Sequence, residues 1–165
     1  MSSVVLDYPI ASPRPVKSVP LGVAEACRLH ERALALRAER QTVEAEALAL
    51  RALDLLTREL GPDDPDVANV LLCLGGLRED AGDLAAAESF YRYALRLLER
   101  AEEAGEVRLR VQAMSLLAGV RQVQGRYVAA ERLYRRALGI AEAALGPEHP
   151  HTALCREGLA ALSES

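Results

Sequence analysis

The side chains able to do chemistry are few in this chain, and their spacing does not build a reaction centre. His149, His151 and Cys155 fall in one short stretch. Two imidazoles and a thiol are zinc ligands by type, but a structural zinc site takes four ligands and no fourth is evident. His149 also belongs to a turn sequence, GPEHP at 146–150. Cys27, Cys73 and Cys155 stand far apart, with no CxxC, and any pairing would leave one over. Reduced thiols of a cytosolic protein are the plain reading. Each lies in a helical stretch, where small half-buried cysteines are ordinary, so no nucleophile is expected. The acidic stretches REDAGD at 78–83 and ERAEEAGE at 99–106 read as solvated faces and helix ends. Acid–base work by a carboxylate pair would need a pocket around them. Gly75-Gly76 lacks the Lys-Ser/Thr of a phosphate loop, and no GxSxG elbow occurs. The expectation is a protein that is not an enzyme, with no metal and no cofactor.

Composition points the same way. The chain has 165 residues, half of them apolar, which suits one domain with a real core. Aromatic residues make up only 4% and tryptophan is absent, so Ala, Leu and Val must build that core. Such a mixture favours close-packed helices over a sheet sandwich. The formal net charge of −4 comes with both signs interspersed, which gives no support for nucleic acid or an anionic membrane as partner. The apolar run Val4-Val5-Leu6 is too short for a signal peptide and ends at Asp7. No stretch approaches ~18 uncharged apolar residues, as a membrane span requires.

What positions these side chains is a repeat. The pair Ala-Glu recurs at 45–46, 87–88 and 130–131, and Ala-Leu recurs at 52–53, 94–95 and 137–138. Ala33, Gly75 and Ala118 keep the same steps of 42 and 43 residues, and Ala160 continues them by 42. GPDDP at 61–65 returns as GPEHP after 85 residues, two periods later. Several independent markers share one period, which is the signature of a repeat architecture.

Each unit carries two helical stretches. Leu71, Leu74, Gly75 and Arg78 share one helix face. Beyond Gly82-Asp83, Leu84, Ala87, Tyr91, Ala94 and Leu98 mark a second. Gly82 and Gly125 suit the left-handed residue that ends a helix, and Asp64-Pro65 is a good helix start. The spacing predicts seven helices, near 21–39, 42–60, 65–81, 84–104, 107–124, 127–145 and 150–163. The small repeated Ala/Gly positions let helix backbones approach within ~8–10 Å.

This pattern resembles the tetratricopeptide repeat, in the 42-residue form typical of kinesin light chains. The matching residues are Ala33/Gly75/Ala118, the alanines at 45, 87 and 130, Tyr91 and Tyr134, the alanines at 52, 94 and 137, and the LGPxxP turns. Departures are Ala49 in place of a tyrosine, Arg40-Gln41 in place of a glycine turn, and Arg78 and Arg121 where the family usually has tyrosine. The resemblance implies an all-α fold: a right-handed superhelical solenoid of about three helical hairpins plus a C-terminal capping helix. The units would span about 21–62, 63–105 and 106–147, with the cap at 148–165 and a proline-rich arm at 1–20.

It also implies a function class, a non-enzymatic adaptor or scaffold in the cytoplasm that holds a peptide or partner protein in its concave groove. Carried over by position, the groove residues are Cys27, His30, Leu34 and Arg37 in the first unit. The second gives Asn69, Leu72, Cys73, Gly76 and Glu79; the third gives Gln112, Ser115, Leu116, Gly119 and Gln122. The set of Lys, Asn and Arg by which some relatives clamp a C-terminal carboxylate is absent. Gly76 and Gly119 either leave bare backbone for a ligand's close approach or relieve packing between neighbouring helices. The arm, with Pro9, Pro13, Pro15 and Pro20, favours extended structure. Its apolar residues Val4, Val5, Leu6, Tyr8 and Ile10 are expected to dock on the groove or on another chain. Self-assembly through the arm or the solenoid ends, into a homo-oligomer or a larger complex, is the alternative role.

Overall fold

The computed structural model describes residues 19–99 and 102–163. The arm residues Val4, Val5, Leu6, Tyr8 and Ile10 lie outside them. The described chain forms seven helices: α1 (Leu21–Ala38), α2 (Thr42–Leu60), α3 (Pro65–Asp80), α4 (Leu84–Leu97), α5 (Ala104–Val123), α6 (Tyr127–Ala144) and α7 (Pro150–Ser163). No strand occurs among the described residues. The hairpins are α1–α2, α3–α4 and α5–α6. They stack in order, each packing its second helix on the first helix of the next unit. The first helices also touch in sequence, α1 on α3, α3 on α5 and α5 on α7. The result is a solenoid with α1, α3, α5 and α7 in one row and α2, α4 and α6 behind them.

The repeated alanines are the reason the layers close so tightly. Ala45, Ala52, Ala87, Ala94, Ala130 and Ala137 are wholly buried, as are Ala33 and Ala118. Gly75 is buried under the ring of Tyr91, and a methyl group added at Gly75 would overlap that ring. Tyr134, the matching tyrosine one unit on, has Ala118 in its own hairpin and seats instead over Gly158 of α7. Ala160 departs from its expected role and is exposed. The small position faces the second helix of its own hairpin, and α7 is followed by no such helix among the described residues.

The turns between the helices of a hairpin share one geometry. Gly82 and Gly125 adopt φ of 79° and 75°, and Arg40 takes the same place with φ of 60°. In each, the residue after the left-handed position donates its N–H five residues back: Gln41 to Leu36, Asp83 to Arg78 and Arg126 to Arg121, at 2.8–2.9 Å. That is the helix-ending pattern that glycine normally serves.

The junction between α4 and α5 differs from the expected bounds. α4 ends at Leu97 rather than 104, and α5 starts at Ala104 rather than 107. Gly105 therefore stands in the first turn of α5 and does not end α4. Charge explains the shift. Glu103 and Glu106 would oppose the negative C-terminal end of an extended α4, whereas at the N-terminus of α5 they complement the helix dipole.

Candidate functional site

The row of α1, α3, α5 and α7 carries two adjoining hollows. The larger, about 500 Å³, is lined from α1 by Cys27, His30, Glu31, Leu34 and Arg37, and from α3 by Asn69, Leu72 and Cys73. Arg108, Gln112 and Leu116 of α5 complete it. The smaller, about 290 Å³, is lined by Glu79, Gln112, Ser115, Leu116, Gly119, Tyr134, His151 and Leu154. Gln112 and Leu116 belong to both, so the hollows form one continuous concavity. One leucine from each helix of the row lines it: Leu34, Leu72, Leu116 and Leu154. Leu34 is 44% exposed and Leu154 51%, whereas Leu72 is buried, so the apolar stripe is open to a ligand at its two ends.

Of the residues expected here, Gly76 and Gln122 line neither hollow. Gly76 is covered by the Arg37 guanidinium, which a methyl group at that position would displace. Its missing side chain thus serves helix packing, the second of the two roles considered above. Gly119 differs: a methyl group added there would meet only the Tyr134 hydroxyl, at an ordinary 3.6 Å, and it remains open floor. The groove also contains residues that sequence reasoning missed. Leu154 stands 85 residues after Asn69, the same offset as the two GP turns, so extending the alignment into α7 would have found it. Tyr134 belongs to the rear helix α6, and its phenol reaches the groove because Gly158 leaves room for the ring.

Two charged groups bordering the groove, Arg37 and Glu79, have partners within the domain. Arg37 Nε donates to Asp80 Oδ2 at 2.6 Å and Arg37 Nη2 to Asp80 Oδ1 at 3.2 Å. This fork holds the Asp80 carboxyl below its ordinary range. Tyr91 donates its hydroxyl to Glu79 Oε2 at 2.8 Å. Burial first, and Glu79 second, push the Tyr91 phenol far above its usual range. His30 is 8% exposed, and its Nδ1 has no hydrogen-bond partner. Burial lowers its pKa, so the imidazole is neutral at neutral pH.

Nucleophilic and metal chemistry find little here. Burial raises the pKa of all three thiols, Cys27, Cys73 and Cys155, which keeps them protonated at neutral pH. Cys155 Sγ lies 3.2 Å from Ser115 Oγ. His149 and His151 stack with ring centroids 5.5 Å apart. Among the described residues no three His, Cys, Asp or Glu side chains converge as a metal site would need. No helix among them is long and apolar enough to cross a membrane.

The model of the tetratricopeptide repeat matches residues 24–100 and 109–164, nearly the whole solenoid. This chain is a member of the tetratricopeptide repeat family. Among solved structures, the first tetratricopeptide domain of Spaghetti (RPAP3), bound to the HSP90 peptide SRMEEVD, superposes with a TM-score of 0.62 at 17% identity. The likeness covers 86% of this chain and 93% of that one, and it shows a shared tetratricopeptide fold. No curated protein matches the sequence. Within the tetratricopeptide pattern, the departures Arg78 and Arg121 have a structural reason. Each meets the glutamate of an Ala-Glu pair on the preceding helix: Arg78 meets Glu46, and Arg121 meets Glu88.

Proposed function

We propose that this tetratricopeptide domain is a protein-interaction module that holds an extended peptide segment in the groove of α1, α3, α5 and α7. The observation that carries the reading is the continuous concavity with its leucine from every helix of the row. Around that stripe stand Asn69, Gln112 and Ser115, polar groups suited to a peptide backbone. The solved domain of the same fold, which holds a peptide, supports the reading by analogy. Arg37 and Glu79 are occupied by Asp80 and Tyr91, which leaves Glu31 and Arg108, one charge of each sign, in the lining. Recognition therefore rests on shape, apolar contact and hydrogen bonds rather than on a clamp of one charge sign.

The test is selection of peptides from a random displayed library on the full chain, followed by titration of the winners. Asn69→Ala and Gln112→Ala should each weaken binding about three- to tenfold while leaving the melting temperature unchanged. Selected peptides that bind both variants as they bind the parent would place recognition elsewhere.

A further inference from the structure

The opposite side of the solenoid carries a cavity of about 520 Å³ between α4, α5 and α6, with a chemistry unlike the groove's. Its floor is apolar, from Leu95, Leu117 and Leu133. Its walls hold Arg92 and Arg96 against one carboxylate, Glu99, together with Arg121, whose guanidinium is already paired with Glu88. Arg96 lies over the ring of Tyr93 at 4.9 Å, which fixes the guanidinium while leaving its N–H edges free. The carboxylates of α4 and α6 are already taken by arginines other than Arg92 and Arg96. Glu88 is held by Arg121 and Arg126, Glu131 by Arg135 and Glu142 by Arg156. Arg92 and Arg96 of the lining form no ion pair among the described residues. In a chain of net charge −4, this is a local surplus of positive charge around an apolar floor.

We infer that the cavity is a second recognition site, independent of the groove, and that its ligand is a short acidic peptide segment with an apolar side chain among its carboxylates. Guanidinium forks bind carboxylates through paired hydrogen bonds, and Arg92 and Arg96 sit one helical turn apart, four residues along α4. The leucine floor takes the apolar side chain that a bare polyanion lacks. A nucleic acid fits less well. One face of Tyr93, the cavity's aromatic ring, is covered by Arg96, so a stacking platform is missing, and the net negative charge repels a long polyanion.

The experiment is fluorescence anisotropy with the full chain at about 50 mM salt, where surface charge is weakly screened. The probe is a fluorescein-labelled peptide of one leucine flanked on each side by three glutamates. Saturable binding is expected, weaker by about tenfold when the glutamates are replaced by glutamines. Arg92→Glu with Arg96→Glu should abolish most of it. Arg92→Gln with Arg96→Gln, a gentler change at exposed positions, should weaken it about tenfold. Gln112→Ala in the groove should leave it unchanged. The inference is overturned if no saturable binding occurs, if the arginine variants bind normally, or if Gln112→Ala removes binding. It is equally overturned if a thymidine oligonucleotide of the same charge binds more tightly than the peptide.

Discussion

Arg121 of α5 reaches back to Glu88 of α4 at 3.5 Å, and Arg126 and Gln124 close on the same carboxylate at 3.2 and 3.4 Å. The Glu88 side chain is only 15% exposed. Burial pushes its pKa up, but the donors from Gln124, Arg126 and Arg121 prevail and hold it below the ordinary value. One unit earlier, Arg78 and Glu46 repeat the arrangement in a wetter setting. Glu88→Ala should cost about 1–2 kcal/mol, because it strands Arg121, whose Nε already lacks a partner. Glu46→Ala should cost less than about 1 kcal/mol. Urea unfolding of both variants, of Arg121→Ala and of the Glu88→Ala/Arg121→Ala double variant measures the coupling; losses that simply add would remove the pair from any joint between units.

Arg40 holds a left-handed conformation that its two counterparts give to glycine. The conformation costs a residue with a Cβ about 1 kcal/mol or more. Arg40→Gly should therefore stabilise the domain by about 0.5–1 kcal/mol, even after the added freedom of the unfolded glycine. Calorimetry should show a rise of a few degrees in Tm. An unchanged or lower Tm would mean that the arginine side chain contributes more than its backbone costs.

Three glycines separate three kinds of contact. Gly75→Ala presses on the buried Tyr91 ring and should destabilise by about 1–3 kcal/mol. Gly76→Ala meets only the flexible end of Arg37, so the loss should be smaller and should take the Arg37–Asp80 fork with it. Gly119→Ala meets nothing closer than 3.6 Å and replaces a helical glycine, so it should stabilise by up to about 1 kcal/mol. Chemical denaturation of the three variants should give that order.

Acid should weaken the fold in two steps. His30 and His151 both have pKa values lowered from 6.5, chiefly by burial. The unfolded chain binds these protons first, so their contribution is full above that value and is lost as pH falls through the lowered ones. Asp80, held below 3.8 by Arg37, follows the same sign in a lower window. Urea midpoints should fall between about pH 7.5 and 5.5, and again below about pH 4. His30→Gln should flatten the first step, and Gly76→Ala the second; steps of undiminished size in these variants would assign them to other groups.

The periodic part of this architecture was legible because it depends on residue size at fixed intervals. The alanines at 45, 52, 87, 94, 130 and 137 are all wholly buried. The α4–α5 junction was misplaced, with α4 expected to run to 104 and α5 to begin at 107, because the GP turn that marks the other junctions is missing there. Arg40 hid a glycine-like turn behind a residue that rarely makes one. In the groove, positions could be carried from unit to unit, but side-chain reach could not. Nothing in the spacing says that Arg37 lies across Gly76, or that Tyr134 comes through from α6. Partners 43 and 33 residues apart, such as Arg37 with Asp80 and Arg121 with Glu88, become neighbours only once the units stack.

The seating of Tyr134 on Gly158 has a mechanical meaning. Beside the buried Thr152 and Cys155, one anchor for the last helix is a ring rooted in the hairpin before it, to which α7 offers a bare notch. Under tension applied at the C-terminus, α7 should peel away as one piece, and the ring of Tyr134 would be left standing, newly wetted, on an otherwise intact hairpin. The next rupture must then pull Tyr91 off Gly75 inside a hairpin, where both halves of the latch belong to the same unit. Stretched from that end, the solenoid should yield first by a weak, reversible slip and only afterwards by a stronger break.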